Sequence, residues 1–235
     1  MIKIEIAGLK IALENKYPYI ENYVQGYQTD GEVDFSVHAT DETVEAERHS
    51  ADGRTFPSDY CESICLYREI AEKLPLYDAF VFHGCVLACN GGAYLLTAQS
   101  GVGKTTHAGN WLRAFKDRVH ILNGDKPVIR IIDGTPIACG TPWRGKEGYG
   151  INESLPLKSI VFLERGNTNE TFEISKSDAL TKFMKQIYLP RKDKVQLLST
   201  MRLADKVLSS VELVGFRCTK EIESAGVLYE RIIKN

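Results

Sequence analysis

At 235 residues and 43% hydrophobic content, the chain has apolar matter for one large domain, or for one domain with a small appendage. Its 29 basic and 31 acidic residues leave a net charge of −2, so no global field draws it to nucleic acid or to a membrane surface. No apolar run reaches the length of a membrane span, and the first residues lack the apolar core of a signal peptide. A cytoplasmic protein without nucleic-acid or membrane partners is expected.

Residues 1–57 read as β-rich. Ile2, Ile4 and Ile6 alternate with polar residues, Gly8 turns the chain, and Leu9, Ile11 and Leu13 alternate again, a hairpin pattern. Val33–His38 alternates as well. The charged stretch from Asp41 to Pro57 reads as loop with short strands. Ser58 or Asp59 is then placed to cap a helix running from about Tyr60 to Leu74, with Ile64, Leu66, Ile70, Ala71 and Leu74 on its apolar face.

A long apolar strand, Ala79–Cys89, follows and is interrupted at His83-Gly84. Asn90-Gly91 between apolar runs predicts a tight hairpin turn, so the next strand, Ala93–Ala98, is the second arm of an antiparallel pair. That strand leads into Ser100-Gly-Val-Gly-Lys-Thr-Thr106 and a helix over Lys104–Phe115. Strand, glycine-rich turn and helix together are the setting of a phosphate-binding loop. Gly101 and Gly103 let backbone N–H groups face inward, and the helix N-terminus adds partial positive charge. Ser100, Gly101, Val102, Gly103, Lys104, Thr105 and Thr106 are the predicted nucleotide contacts. Lys104 meets the β/γ-phosphates, and the Thr105 hydroxyl ligates Mg²⁺. The usual pattern opens with glycine where this chain has Ala98, which requires a negative φ there.

Further along, Val119–Leu122 is a strand ending in Asn123-Gly-Asp-Lys126, and Val128–Ile132, Asp133-Gly134 and Ile137–Cys139 form another hairpin. Gly140–Gly150 is a glycine-rich loop. Leu157–Leu163 and Thr171–Ile174 are strands, and Ser177 or Asp178 opens a helix to about Tyr188. A helix over Lys194–Ser209, a strand over Val211–Phe216 and a helix over Glu221–Ile233 complete the chain. Six cysteines include the pairs Cys61/Cys65 and Cys85/Cys89, whose spacing suits neither a zinc knuckle nor, on a strand, one shared metal. Buried reduced thiols are expected.

Three polar features flank the loop. His83 breaks an apolar strand, as a core histidine or a functional one. Asp125 ends a strand beside the loop, where a carboxylate holds Mg²⁺ or accepts a hydroxyl proton, or merely shapes a turn. Arg144 and Lys146 sit in the Gly140–Gly150 loop, able to neutralise transferred phosphate or to remain solvated.

His83-Gly84, the hairpin, Ser100–Thr105 and Asp125 resemble the HPr kinase/phosphorylase family, over about residues 78–135 by motif. The chain looks most similar to the small bacterial HPr-kinase-like proteins, some of which carry a segment like Gly140-Thr-Pro-Trp-Arg-Gly-Lys146. The resemblance implies an α/β fold like the nucleotide domain of phosphoenolpyruvate carboxykinase, with a mixed sheet over 58–235, to which the alternation over 1–57 adds a small β-rich region. It implies ATP and Mg²⁺ as cofactors, Asp125 and His83 as catalytic groups, and Thr105 and Asp125 at the metal; Arg144 or Lys146 is the cation expected to close over the γ-phosphate. The activity implied is an HPr-kinase-like serine kinase acting on a hydroxyl, with a serine of a peptide or protein as one acceptor and a small molecule as another, and a homo-oligomer is compatible with it. The family shows Asp-Asp where this chain has Gly124-Asp125, residues 1–75 do not match the regulatory kinase's N-terminal domain, and the segment tied to the reverse reaction is missing. The alternative is a non-catalytic ATP-binding sensor or partner-binding module, which Gly124 favours. Phosphoenolpyruvate carboxykinase activity itself is a weak third reading, because the chain is short for it.

Overall fold

The structure, a computed structural model, describes residues 1–49, 53–99 and 101–234. It is a mixed α/β protein with a small N-terminal sheet and a large curled one. In the small sheet, β1 (Ile2–Ile6) and β2 (Leu9–Glu14) pair antiparallel, and β3 (Phe35–His38) lies parallel to β2. A short helix, α1 (Tyr19–Tyr23), precedes β3.

Part of the stretch read as loop is a helix, α2 (Asp41–Arg48). The Thr40 hydroxyl accepts the Thr43 N–H at 3.2 Å, and Asp41 and Glu42 sit in the first turn, where carboxylates favour a helix start. Only Val44 is buried, so the segment carries no apolar periodicity to announce it. Helix α3 (Ser58–Lys73) begins directly after the extended Pro57 and has no side-chain cap, so neither Ser58 nor Asp59 caps it. Its buried face joins Leu66, Ile70 and Ala71 to Ile4, Ile11 and Leu13 of the small sheet and to Val81, Val128 and Trp143 beyond it. Each such apolar side chain, fully buried, contributes about 1.5–3 kcal/mol.

The large sheet contains β4 (Ala79–Val81), β5 (Cys85–Cys89), β6 (Gly92–Thr97), β7 (Val119–Asn123), β8 (Val128–Ile132), β9 (Thr135–Cys139), β10 (Ser154–Arg165), β11 (Glu170–Phe172) and β12 (Glu212–Cys218). Its order is β4-β8-β9-β10-β6-β5-β7, with β12 on β10 and β11 on β12. The Asn90-Gly91 turn joins β5 to β6 as expected, both residues at positive φ. β4 and β5 are consecutive in the chain yet five strand positions apart in the sheet. At about 4.8 Å per strand a flat sheet would hold them roughly 24 Å apart. Four residue steps span at most about 14 Å. The sheet therefore curls, and Phe82-His83-Gly84 closes the curl. β10 makes the bend, pairing with β9 through Ser154–Pro156, with β6 from Leu157 across an irregularity between Leu157 and Ser159, and with β12 from Ser159.

Alternation along the strands sorts the two faces. Val86 and Ala88 of β5 join Leu95 and Phe162 under α5 (Lys176–Met184) and α6 (Lys194–Ser210). Cys85, Leu87 and Cys89 face α4 (Lys104–Phe115) and α7 (Glu223–Tyr229), around Trp111. Ser175, rather than Ser177 or Asp178, caps α5, its hydroxyl accepting the Asp178 N–H at 3.1 Å, and the helix ends at Met184 instead of near Tyr188. All six cysteines are free and buried.

His107 of α4 lies in this second core. The Trp111 indole donates to its Nε2 at 3.0 Å, which leaves the proton on Nδ1, facing the Ser224 hydroxyl at 3.2 Å. Burial pushes its pKa down to about 4, so the ring is neutral in the fold. The unfolded chain binds a proton at the ordinary value near 6.5, so stability from the neutral ring is complete above that pH and is lost as pH falls from 6.5 to 4. The gap corresponds to about 3 kcal/mol. Urea unfolding is expected to show the stability advantage of the wild type over His107→Gln shrinking by that amount between pH 7 and pH 4. A constant difference would contradict it.

Candidate functional site

Strands β6, β7, β10 and β12 all run the same way, so their carboxyl ends meet along one edge of the sheet. That edge is where open α/β sheets offer a crevice to ligands. Beside it, the chain crossing between β4 and β5 is held from both sides. Phe82 N–H donates to Pro127 C=O at 3.0 Å and Gly84 N–H to Asp125 C=O at 3.1 Å, while His83 N–H donates to Gln186 C=O at 2.7 Å. His83 and Asp125, far apart in sequence, are thereby set side by side, Nε2 to Oδ1 at 3.3 Å.

The turn carrying Asp125 is built by Asn123. This fully buried side chain accepts the N–H groups of Asp125 and Lys126 at 2.9 and 2.7 Å, and donates to the Thr141 carbonyl at 3.0 Å. Thr141 in turn donates to Lys126 C=O at 2.7 Å. Asn123 thus locks the Asp125 turn to the Gly140–Gly150 loop. Asn123→Ala leaves those backbone groups without partners in a buried site, at a cost of about 3 kcal/mol. Thermal melting is expected to fall by roughly 6–12 °C; an unchanged melting temperature would deny Asn123 this role.

Between β6 and α4 the loop keeps Gly101 at φ +80° and Gly103 at φ +118°, with open space where their Cβ atoms would be; the backbone conformation, not crowding, calls for glycine. Ala98 keeps a negative φ, as its place requires. The first turn of α4 has no side-chain cap. Lys104 donates to the Ala98 carbonyl at 2.9 Å, and the Arg165 guanidinium, from the end of β10, holds the carbonyls of Gly101 and Val102. Ser100 lies outside the described residues.

A cleft of about 490 Å³ opens over this loop. It brings together His83, Gly101, Gly103, Lys104, Thr105, Thr106, Asp125 and Lys146, and adds Glu147. Val102 borders a neighbouring cavity. Arg144 does not line the cleft. Its aliphatic stem occupies the space over Gly150, where a Cβ would come within 2.3 Å, and its charge acts on Tyr23 and Tyr27 of the N-terminal region. Gly145, at φ +70°, passes so close to Asp125 that a Cβ there would come within 3.0 Å of the Asp125 Cβ.

The electrostatics set protonation states. Burial, then Lys126 and Lys104, lower the His83 pKa below its ordinary value, outweighing Asp125 and a hydrogen bond with Gln186. The ring is neutral at pH 7, and its approach to Asp125 is not an ion pair. Burial also lowers Lys104, against the attraction of Asp125. The Cys85 thiol beneath is pushed up to about 12 by burial and is no nucleophile at neutral pH. Asn123, Lys126, Arg165 and Gln186 are site-building residues that the sequence reading passed over. Asn before Gly-Asp is a turn signal that could have marked the first; the others depend on tertiary contacts.

No family model matches the chain, and no curated protein matches it. Among solved structures, the Hpr(Ser) kinase/phosphatase from Coxiella burnetii is similar at 10% identity and a TM-score of 0.31, over 54% of this chain and 96% of that one. The likeness is one of structure and remote. No helix among the described residues is long and apolar enough to cross a membrane.

Proposed function

We propose that this chain is an ATP- and Mg²⁺-dependent phosphotransferase of the HPr-kinase-like type, phosphorylating a hydroxyl of a peptide, protein or small molecule. In this reading residues 58–235 form the nucleotide-binding unit and residues 1–57 a β-rich appendage. The observation that carries it is the single cleft shared by the glycine loop, Lys104, Thr105, His83 and Asp125.

The donor set fits a phosphate chain. The α4 first turn has no side-chain cap, and among the described residues the Lys104 ammonium donates only to a carbonyl that an anion can replace. The exposed Thr105 hydroxyl and the Asp125 carboxylate are hard oxygen ligands of the kind Mg²⁺ takes, and a bound Mg²⁺ supplies neutralisation of phosphate charge. Lys104 and the loop N–H groups orient the β/γ-phosphates. His83, neutral and beside Asp125, accepts the proton of the acceptor hydroxyl, and Lys146 balances charge on the transferred group.

The second reading, a nucleotide-binding module without transfer, draws on Gly124, which leaves one carboxylate in the Asn123–Lys126 turn. Incubation with Mg·ATP and hydroxyl acceptors separates the two. Equimolar ADP and phosphorylated acceptor are expected; tight Mg·ATP binding with no transfer would favour the module, and absence of binding would dismiss both.

A further inference from the structure

The loop cleft accounts for the phosphate donor and leaves the acceptor side unassigned. A second cavity, of about 200 Å³, also borders His83 and is lined by Tyr67, Lys126, Lys185, Ile187 and Tyr188. Among the described residues, His83 is the one that borders both this cavity and the loop cleft. A group seated in the second cavity and a nucleotide in the loop cleft would thus share His83 as a neighbour, which suits an acceptor and a phosphate donor.

The walls say what would fit. None of the lining residues is a carboxylate, and the two charged ones are lysines. Lys185 has no ion-pair partner among the described residues, and Lys126 lies 3.7 Å from Asp125, at the loose end of pairing. The Tyr188 hydroxyl is committed to Glu72 at 3.0 Å. The Tyr67 hydroxyl makes no hydrogen bond among the described residues and is free to meet a polar ligand. The volume is below the roughly 300–1,000 Å³ of pockets for drug-sized ligands.

We propose that this cavity seats the phosphate acceptor, and that the acceptor is a small hydroxy acid whose carboxylate is held by Lys185 and Lys126. This rests on the phosphotransferase reading. The acceptor hydroxyl oxygen forms the new bond to the γ-phosphorus as the bond from that phosphorus to the β-bridging oxygen breaks. The electron pair of the broken bond leaves with ADP, and the hydroxyl proton passes to His83. Two ammonium groups at the seat repel a cationic acceptor and leave a neutral one without its anchor.

The test uses the full chain with Mg·ATP and probes of similar size: the hydroxy acids glycerate, lactate and malate, neutral glycerol, and cationic choline, with ADP and phosphorylated product both measured. At least one hydroxy acid is expected to exceed glycerol in kcat/KM by about tenfold or more, the worth of one charge-assisted contact, with choline inert. Lys185→Glu is expected to abolish that preference through KM while leaving the Kd for Mg·ATP unchanged. Equal use of all probes, a preference that survives Lys185→Glu, transfer to a serine-containing peptide alone, or no transfer to any hydroxy acid would overturn the acceptor assignment, with Mg·ATP binding intact. Failure of the wild type to bind Mg·ATP would instead remove the reading beneath it.

Discussion

Lys104→Ala is expected to weaken Mg·ATP binding by about a hundredfold. A lysine contact with bound phosphate is a charge-assisted hydrogen bond, worth about 1.5–3 kcal/mol, and each 1.4 kcal/mol is tenfold in Kd. The site magnifies it, because Lys104 is partly withdrawn from water and so interacts through a lower dielectric. The fold should tolerate the change. Lys104 engages one carbonyl, that of Ala98, and lies at the first position of α4, where alanine is a good helix former. Calorimetric titration of both proteins, with far-ultraviolet circular dichroism to confirm the fold, measures it. Equal affinities would remove Lys104 from the phosphate site.

Asp125→Asn is the second large effect, and it falls on transfer. The substitution preserves shape and the backbone bonds that fix the turn, since the Asp125 N–H and C=O groups, not its side chain, join Asn123 and Gly84. What it removes is the negative charge 3.3 Å from His83 Nε2 and, on the proposed reading, a ligand for Mg²⁺. Without that charge, Lys126 and Lys104 act on the ring with no carboxylate to offset them and make the imidazole a poorer proton acceptor. General-base catalysis is worth about 10²–10⁴-fold, and turnover is expected to drop within that range. A variant retaining wild-type turnover would leave Asp125 as a turn residue, the plain reading of an aspartate after Asn-Gly.

Much of this architecture is legible because it is local. The Asn90-Gly91 turn and the Lys104–Phe115 helix follow from residues within a few positions of each other, and the structure has both. Helix α2 was not legible, because its single buried residue leaves the Thr40 cap as its main mark. The approach of His83 to Asp125 could not be read from pattern at all. It depends on a three-residue crossing between strands that lie five positions apart in a curled sheet. Arg144 shows the converse. Its glycine-rich setting reads as a flexible loop reaching for phosphate, yet Gly150 admits its stem and Gly145 admits Asp125, so the glycines there serve close packing. Gln186 and Arg165 brace the site from elements that look, in sequence, like ordinary helix and strand ends.

The most direct measurement is a crystal structure with Mg²⁺ and a non-hydrolysable ATP analogue. The γ-phosphate is expected over Lys104, with Mg²⁺ at the Thr105 hydroxyl, and His83 and Asp125 facing the γ-phosphate from across the cleft. A nucleotide bound elsewhere, or a γ-phosphate directed away from His83 and Asp125, would contradict the phosphotransferase assignment.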